Sequence, residues 1–426
     1  MSENKNIKIF NNIGNTAVKA ALVSVILDGA DEKAAETSLA ELERLLETAG
    51  GETFGQLTQH RDTPDIRTYI GSGKLKELNE ITKNNGIELV IFDAELSPTQ
   101  IKNLEDELDG GVRVIDRSML ILDIFALHAV TSEGKVQVEL AQMKYTAPRL
   151  TGKGLQLSRQ QGGNIAMRGP GETKLETDRR HLKRRIHALE TKLEEIEKNR
   201  EIQREHRIRT GIVKAAVVGY TNAGKSTLVN YMTGAGILAE DKLFATLDPT
   251  TRKFTLPNGN EILITDTVGF IRNLPHHLIE AFKSTLEEVT GADIIIIMTD
   301  ASDPECDSQL EVTMDLLNEL GAGGKPILYV YNKCDLIDGF YSDSGDKIYI
   351  SAKNGYGIEK LVKRLEELAA ARKTEETFVI PNTEMAVIDR LYKEAAVQNV
   401  EYGDEYVTVK AIADAKTKGS LKNYRR

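Results

Sequence analysis

The stretch Gly219-Tyr-Thr-Asn-Ala-Gly-Lys-Ser226 decides the fold of this chain. It fits the pattern G-x-x-x-x-G-K-[ST], a phosphate-binding loop between a strand and a helix. The glycines let successive backbone N–H groups point into one concavity, which holds phosphate oxygens. An apolar run at 213–218 predicts the strand, and 225–232 predicts the helix. The nucleotide ligands predicted here are Gly219, Tyr220, Thr221, Asn222, Ala223, Gly224, Lys225, Ser226 and Thr227, with the Lys225 ammonium beside the outer phosphates and the Ser226 hydroxyl on Mg²⁺.

A second motif, Asn332-Lys-Cys-Asp335, follows another apolar strand and indicates which base is bound. The Asp335 carboxylate can accept hydrogen bonds from N1–H and the exocyclic amino group of guanine. Adenine has neither donor there, so its binding would leave the carboxylate unpaired at a cost on the order of 1–3 kcal/mol or more. Asn332 and Lys333 are predicted to brace the phosphate loop and cover the base, which gives Asn332, Lys333, Cys334 and Asp335 as base-binding residues.

Two further segments complete this pattern. Asp266-Thr-Val-Gly269 ends a strand, and we expect Asp266 to hold Mg²⁺ through a water and the Gly269 N–H to face the γ-phosphate. Ser351-Ala-Lys353 ends a later strand and is predicted to support the base through backbone N–H groups. The residues assigned to nucleotide binding by these segments are Asp266, Thr267, Val268, Gly269, Ser351, Ala352 and Lys353.

The loop at 244–252 lies between the phosphate loop and Asp266. A mobile loop at this place supplies one Thr hydroxyl to Mg²⁺ when triphosphate is bound, and Thr246, Thr250 and Thr251 are candidates. We favour Thr246, because Phe244-Ala-Thr-Leu resembles the switch loop of Obg-like GTPases. The loop residues assigned to the site are Phe244, Ala245, Thr246, Leu247 and Asp248, with Ser226 and Thr246 as metal ligands. Five elements in this order predict a GTPase domain.

Hydrolysis depends on a group that orients the attacking water, often a Gln directly after the D-x-x-G segment. Phe270 occupies that position and has no polar group, so we expect slow turnover until a partner or an ion assists. Asn222 either binds a K⁺ that bridges the phosphates or only tightens the turn, and the sequence leaves both open. The predicted catalytic residues are Lys225, Thr246, Gly269 and Asn222.

Composition limits the class of protein. The chain has 426 residues, a formal net charge of −10, 40% hydrophobic and 28% charged residues, which is typical of a soluble globular protein of several domains. Two cysteines, Cys306 and Cys334, cannot build a disulfide framework, so we expect a cytoplasmic protein. The apolar run at 293–298 is too short to span a membrane, and no membrane partner is predicted.

The element order predicts an α/β fold: a P-loop GTPase domain with a doubly wound, mainly parallel sheet, between an N-terminal α/β domain with a helical hairpin and a small C-terminal α+β domain. The predicted domains span 1–130, 131–210, 211–373 and 374–426. In the first domain we expect strands at 17–27, 52–59, 87–93 and 112–115 and helices at 33–49, 73–84, 98–108 and 117–129. Tyr69-Ile-Gly-Ser-Gly-Lys74 is interpreted as a turn with a Ser cap rather than a second anion site.

The segment Arg149–Arg185 carries ten Lys or Arg and three acids. Helices predicted at 133–145 and about 173–209 flank its glycine-rich part, and Leu182, Ile186, Leu189, Leu193 and Ile196 form a coiled-coil seam. We therefore expect an antiparallel hairpin with a basic, non-helical tip at 149–171. A disordered linker is the alternative, but such long loops commonly bind something, and this one suits RNA phosphates.

The C-terminal residues predict a strand at 377–380, a helix at 384–398 and a strand at 406–410. The tail at 416–426 has five Lys or Arg and no acid, and it either contacts RNA or stays solvated.

Over nearly its full length the chain resembles the HflX family of GTPases. Tyr69-Ile-Gly-Ser-Gly-Lys74, Gly169-Pro-Gly-Glu-Thr-Lys-Leu-Glu176 and Asp266-Thr-Val-Gly-Phe-Ile271 carry the resemblance. It implies a protein that binds GTP or GDP and the large ribosomal subunit, with the tip at 149–171 near its RNA. We expect a monomer. The resemblance further implies ribosome splitting in the GTP state and hydrolysis stimulated by the ribosome. A regulatory GTP-binding module in subunit assembly is the alternative. The resemblance also raises ATP binding by the N-terminal domain, for which the residues establish no site.

Overall fold

The computed structural model describes residues 17–148, 170–208, 212–234, 243–272, 283–337, 347–371, 374–413 and 415–425. The chain divides into two compact units. The first contains residues 1–194 with segments 240–248 and 271–283, and the second contains the remainder. Within the described ranges no helix is long and apolar enough to cross a membrane.

The first unit is built on a four-stranded parallel sheet in the order β2-β1-β3-β4. Its strands are β1 (Val18–Leu27), β2 (Gly51–Arg61), β3 (Leu89–Phe92) and β4 (Arg113–Asp116). Helices α1 (Glu32–Thr48), α2 (Ser72–Asn85), α3 (Pro98–Glu107) and α4 (Arg117–His128) follow them in turn. β3 is buried along its whole length, as expected of an inner strand covered on both faces. The predicted elements of this domain lie within two residues of the observed ones.

The N-terminus of α2 differs from the prediction. Its N-cap is Gly71, and Ser72 is the first helical residue, so no side chain caps this helix. The Gly71 N–H instead donates to the Gln59 side-chain oxygen at 2.8 Å. A side chain from β2 therefore holds the residue before the helix, and the expected Ser cap is absent.

A charged cluster lies inside this unit around Arg117. Its guanidinium contacts Glu41 and donates to Asp93 Oδ1 at 2.7 Å, and all three side chains are at most 9% exposed. It also donates to Ser38 Oγ and to the Arg272 carbonyl, both at 3.2 Å. Burial alone would lower the pKa of Arg117, but the two carboxylates outweigh burial and raise it. The charges are thus paired and hydrogen-bonded, as buried charges must be.

Helices α5 (Ser132–Thr146) and α6 (Pro170–Ile208) belong to the predicted hairpin. Leu182, Ile186, Leu189 and Leu193 of the predicted seam pack with an apolar cluster on α5, which comprises Val136, Leu140 and Met143. Ion pairs Arg185–Glu139 and Lys144–Glu190 flank the contact. The helix begins at Pro170, inside the tip that was predicted to be non-helical, because proline is favoured at a first helical position. The remaining tip residues, 149–169, lie outside the described residues.

The second unit contains a six-stranded sheet in the order β10-β9-β8-β5-β7-β6. The strands are β5 (Val213–Gly219), β6 (Thr250–Thr255), β7 (Glu261–Asp266), β8 (Ile294–Asp300), β9 (Ile327–Asn332) and β10 (Lys347–Tyr349). Only β6 runs antiparallel among these strands. The chain order reverses at β5, and ligands bind at such a switch point in doubly wound sheets.

The helices of this domain are α7 (Lys225–Thr233), α8 (Lys283–Thr290), α9 (Cys306–Glu319) and α10 (Ile358–Ala371). The element order also predicts a helix near 275, which falls outside the described residues. The core between sheet and helices includes Val217, Leu228, Ile296 and Leu361, whose side chains are fully buried. The predicted α/β fold class is confirmed.

The C-terminal residues form a three-stranded antiparallel sheet in the order β11-β13-β12, covered by one helix. The elements are β11 (Thr374–Pro381), α11 (Met385–Glu394), β12 (Ala396–Tyr402), β13 (Tyr406–Ala413) and α12 (Ala415–Ser420). The predicted helix at 384–398 is too long, because Ala396 and Val397 instead pair with β13. The tail is not simply solvated: Arg425 makes two 2.7 Å hydrogen bonds to Glu376.

Candidate nucleotide-binding site

The phosphate loop joins the carboxyl end of β5 to α7. Gly224 caps α7 with a φ of 92°, and a Cβ there would lie 2.3 Å from Asn332 Nδ2, so only glycine fits. The Lys225 Nζ donates to the carbonyls of Gly219 at 3.2 Å and Tyr220 at 2.8 Å. The lysine is therefore folded back over the loop, with its ammonium inside the predicted phosphate cradle.

Burial lowers the pKa of Lys225 to about 8, and the nearby Asp266 carboxylate opposes that shift. The side chain is almost fully buried, and burial disfavours its charged form. A bound phosphate would stabilise the ammonium and raise this pKa again. Nucleotide binding is therefore coupled to protonation of Lys225.

We expect nucleotide affinity to be level below pH 8 and to fall above it. The slope should approach about tenfold per pH unit between the pKa of Lys225 in the free protein and its higher pKa in the complex. Calorimetric titration with GDP at several pH values measures this slope. The Lys225→Met variant should bind GDP more weakly and should lack this pH dependence. Any fall in affinity that it still shows at high pH comes from deprotonation of guanine. Equal slopes in the two proteins would contradict the assignment.

Two of the residues predicted to bind Mg²⁺, directly or through water, lie together: Ser226 in the first turn of α7 and Asp266 at the end of β7. The Ser226 hydroxyl donates to Asp266 Oδ2 at 2.6 Å, and Asp266 is fully buried. A hydroxyl and a carboxylate are oxygen ligands, which Mg²⁺ prefers beside substrate phosphates. The pair therefore fits this ion, with Ser226 as ligand and Asp266 beside it. Thr267 has a different task, because its hydroxyl donates to the Val217 carbonyl at 2.7 Å and fixes β7 to β5.

The three candidate switch threonines lie in different settings. Thr250 and Thr251 are part of β6, and the Thr251 hydroxyl bonds the Thr265 hydroxyl at 2.9 Å. Thr246 precedes the strand in a loop, as a mobile metal ligand requires. Of the three, only Thr246 lies outside the strand, and its role as a metal ligand stays a prediction.

The switch segment 244–248 clusters with the first unit. Phe244 is buried edge-on against Phe125, with 4.7 Å between ring centroids. The Asp248 carboxylate accepts from the N–H groups of Val130 and Thr131, both at 2.8 Å, and from the Thr131 hydroxyl at 2.5 Å. Asp248, predicted to bind nucleotide, therefore directs its carboxylate to the start of α5 instead. Phe244 and Leu247 are also buried, which makes them anchors of this loop.

The base-reading motif follows β9. The Asn332 amide donates to the Ala223 carbonyl at 2.8 Å and accepts from the Ala352 N–H at 2.9 Å, so the predicted contact with the phosphate loop is present. Lys333 has a φ of 62°, and its ammonium pairs with Asp300 at 2.7 Å. The Asp335 side chain is exposed and makes no hydrogen bond or ion pair with the described part of the chain. Its carboxylate is thus available to a ligand.

The support predicted from Ser351-Ala-Lys353 is only partly available. The Ser351 N–H donates to the Tyr356 carbonyl at 3.0 Å, and the Ala352 N–H donates to Asn332. These two donors hold the loop together and do not face a base. The sequence could not show this, because both partners come from other segments.

Phe270 lies beside the phosphate loop and is 1% exposed. Its N–H donates to the Gly219 carbonyl at 3.1 Å, and its carbonyl accepts from the Thr221 N–H at 2.8 Å. The aromatic side chain is therefore structural and cannot orient water. Asn222 has a φ of 61°, a conformation that Asn tolerates better than most residues, which supports its role in the turn.

Asp300 is the site residue that sequence reasoning missed. It ends β8 and pairs with Lys333, which the motif predicts to cover the base. The available signal was an acidic residue two positions after the apolar run at 294–298. Strands β5, β7, β8 and β9 thus bring the predicted phosphate loop, Asp266, Asp300 and the base-reading motif to one edge of the sheet.

These features define a P-loop GTPase. The phosphate loop lies at the switch point of the sheet, its Ser226 hydrogen-bonds Asp266 at the end of β7, and the motif Asn332-Lys-Cys-Asp335 is typical of guanine binding. Comparisons with known proteins agree. Residues 36–126 match the family described as GTP-binding GTPase N-terminal, 128–207 match GTP-binding GTPase Middle Region, and 214–333 match 50S ribosome-binding GTPase.

Curated relatives cover most of the chain. The GTPase HflX of Caldanaerobacter subterraneus subsp. tengcongensis is 48% identical over 406 residues, which is 95% of this chain and 93% of the relative. The GTPase HflX of Escherichia coli K12 is 42% identical and covers 84% and 85% of the two chains. A GTP-binding protein from the archaeon Sulfolobus solfataricus, solved with GDP, is 28% identical with a TM-score of 0.44, covering 83% of this chain and 99% of that one.

The chain belongs to the GTPase HflX family, and it is a GTPase. The resemblance inferred from its sequence is confirmed.

Proposed function

We propose that this GTPase binds the large ribosomal subunit through the basic segment around the hairpin tip. The observation that carries the proposal is the ten cationic side chains between Arg149 and Arg185, in a chain with a net charge of −10. Such a local excess of Lys and Arg suits the phosphates of RNA, whereas the negative net charge of the whole chain does not. The match of residues 214–333 to a family described as 50S ribosome-binding GTPase supports the same partner.

The GTP state is proposed to hold the binding conformation and to split stalled or idle ribosomes, and hydrolysis then allows release. Lys225, Gly269 and Thr246 would hold the outer phosphates and Mg²⁺, and Asp335 would read guanine. K⁺ at Asn222 is a further proposal, because Phe270 offers no group for the attacking water. We expect a monomer in the cytoplasm.

Deleting residues 152–168 is expected to leave intrinsic GTP hydrolysis within about twofold of wild type, because the deletion is outside the nucleotide site. Stimulation by large subunits should be lost, since the deletion removes most of the tip together with Lys153, Arg159 and Arg168, three of the ten cationic residues. The measurement is the GTPase rate with and without large subunits, in K⁺ and in Na⁺. A Gly/Ser loop of equal length is the matched control for geometry, and it should behave like the deletion.

Two outcomes of this experiment would contradict parts of the proposal. Full stimulation of the deletion variant would make the tip a passive linker. Equal rates in K⁺ and Na⁺, alone and with subunits, would exclude the K⁺ role. Sucrose gradients with a nonhydrolysable GTP analogue test splitting, because intact ribosomes should become subunits in wild type alone. Binding should weaken steeply with salt if phosphate contacts dominate.

A further inference from the structure

Thr221, the third residue of the phosphate loop, has a buried hydroxyl. The residue is 6% exposed, and Oγ1 has no hydrogen-bond partner in the part of the chain that the structure describes. Buried side-chain polar atoms almost always have a partner, so an unsatisfied one requires an explanation. A ligand that enters the loop is one such partner, and the loop is a phosphate-binding element.

The Thr221 side chain lies beside the two groups that the motifs assign to the outermost phosphate. A Cβ added to Gly269 would lie 2.7 Å from Thr221 Cγ2 and 3.0 Å from Lys225 Nζ. Thr221, Lys225 and Gly269 therefore converge on one place. The last two are the groups that the motifs assign to the outer phosphates, whereas no motif assigns a task to the Thr221 hydroxyl.

The backbone around Thr221 is already fixed. Its N–H donates to the Phe270 carbonyl at 2.8 Å, and the Phe270 N–H donates to the Gly219 carbonyl at 3.1 Å. These two bonds hold Phe270, which follows Gly269, against the phosphate loop. The Thr221 N–H is therefore not available to a phosphate, and only its hydroxyl can donate. Phe270 adds no polar side chain here.

We propose that the Thr221 hydroxyl donates a hydrogen bond to an oxygen of the γ-phosphate, so that it distinguishes GTP from GDP; this inference depends on the proposed nucleotide role of the loop. With GTP the buried hydroxyl gains the partner that it lacks. With GDP no γ-oxygen is present, and the hydroxyl stays unsatisfied. The same bond holds the γ-phosphoryl group in place for attack, next to the ammonium of Lys225.

The test compares Thr221→Val, which keeps the shape and removes the hydroxyl, with Thr221→Ser, which keeps the hydroxyl. Full-length proteins are titrated with GDP and with the nonhydrolysable analogue GMPPNP, and single-turnover hydrolysis of GTP is measured. We expect Thr221→Val to bind GMPPNP about tenfold more weakly and GDP within about twofold of wild type, because only the triphosphate uses the bond. Hydrolysis should slow by about tenfold or more, and Thr221→Ser should restore both values to within about threefold.

Three results would overturn the inference. Thr221→Val could leave both the GMPPNP-to-GDP affinity ratio and the rate unchanged. It could weaken GDP and GMPPNP equally, which would mean a general packing defect. It could change the affinity ratio and the rate in K⁺ but not in Na⁺, which would mean that the hydroxyl binds a cation. Should Thr221→Val fail to fold, Thr221→Ala gives the same comparison. Failure of wild type to bind either nucleotide would instead refute the site itself.

Discussion

Asp335→Asn is expected to weaken GDP and GTP binding by about 100-fold or more, because two hydrogen bonds to a charged acceptor contribute about 1.5–3 kcal/mol each. The carboxylate accepts from both N1–H and the exocyclic amino group of guanine. An asparagine amide presents one acceptor and one donor, and the donor faces a guanine donor. Xanthine has a carbonyl in place of the amino group, so xanthosine nucleotides should bind the variant better than wild type.

The geometry supports this expectation. The Asp335 side chain is exposed and has no hydrogen-bond or ion-pair partner within the described ranges, so its replacement should disturb no internal contact. Asn332, by contrast, holds the phosphate loop and Ala352 together, and its loss would mix folding with binding. Competition titrations with GDP and xanthosine diphosphate measure the change. Asp389→Asn, at an exposed carboxylate of the C-terminal domain, is the matched control and should change neither affinity. Unchanged discrimination in the Asp335 variant would refute the base assignment.

Arg117→Met is expected to lower the free energy of unfolding of the first unit by about 3–5 kcal/mol. The substitution leaves the carboxylates of Glu41 and Asp93 buried without their cation. It also removes the donor to the Arg272 carbonyl, which belongs to the segment after Phe270. Surface ion pairs contribute much less, about 0–1 kcal/mol, since water already solvates their charges.

The chain has no tryptophan, so hydrogen exchange of the β3 and α4 amides is the suitable measure of stability. The matched control is Arg67→Met, which breaks an exposed pair with Glu107 in the same unit and should change stability by about 1 kcal/mol or less. A triple variant that also neutralises Glu41 and Asp93 should recover part of the loss, because the penalty comes from unpaired buried charge. Equal effects of Arg117→Met and Arg67→Met would contradict this account.

The sequence predicted what local patterns encode. Buried strands end in the phosphate loop, in Asp266 and in the base-reading motif, and parallel strands bring their carboxyl ends to one edge. Turn chemistry and apolar spacing therefore place these segments before any contact is known. The strands and helices of the N-terminal domain follow from the same periodicity.

The contacts that the sequence did not predict depend on partners distant in sequence. Gln59 supplies the hydrogen bond at the α2 terminus, and nothing near Gly71 signals it. Asp248 bonds Thr131, which lies 117 positions earlier, so its carboxylate could not be assigned from the switch loop alone. Residues after Glu394 suit a helix by pattern, but pairing with β13 makes them a strand. Tertiary contacts decide each of these cases.

The most direct test of the central claim is calorimetric titration of the folded full-length protein with GDP in the presence of Mg²⁺, repeated in excess ATP. The account predicts that GDP binds at one site and that ATP leaves its affinity unchanged, because Asp335 finds no donors on adenine. No heat with GDP, or displacement of GDP by ATP at similar concentration, would contradict it.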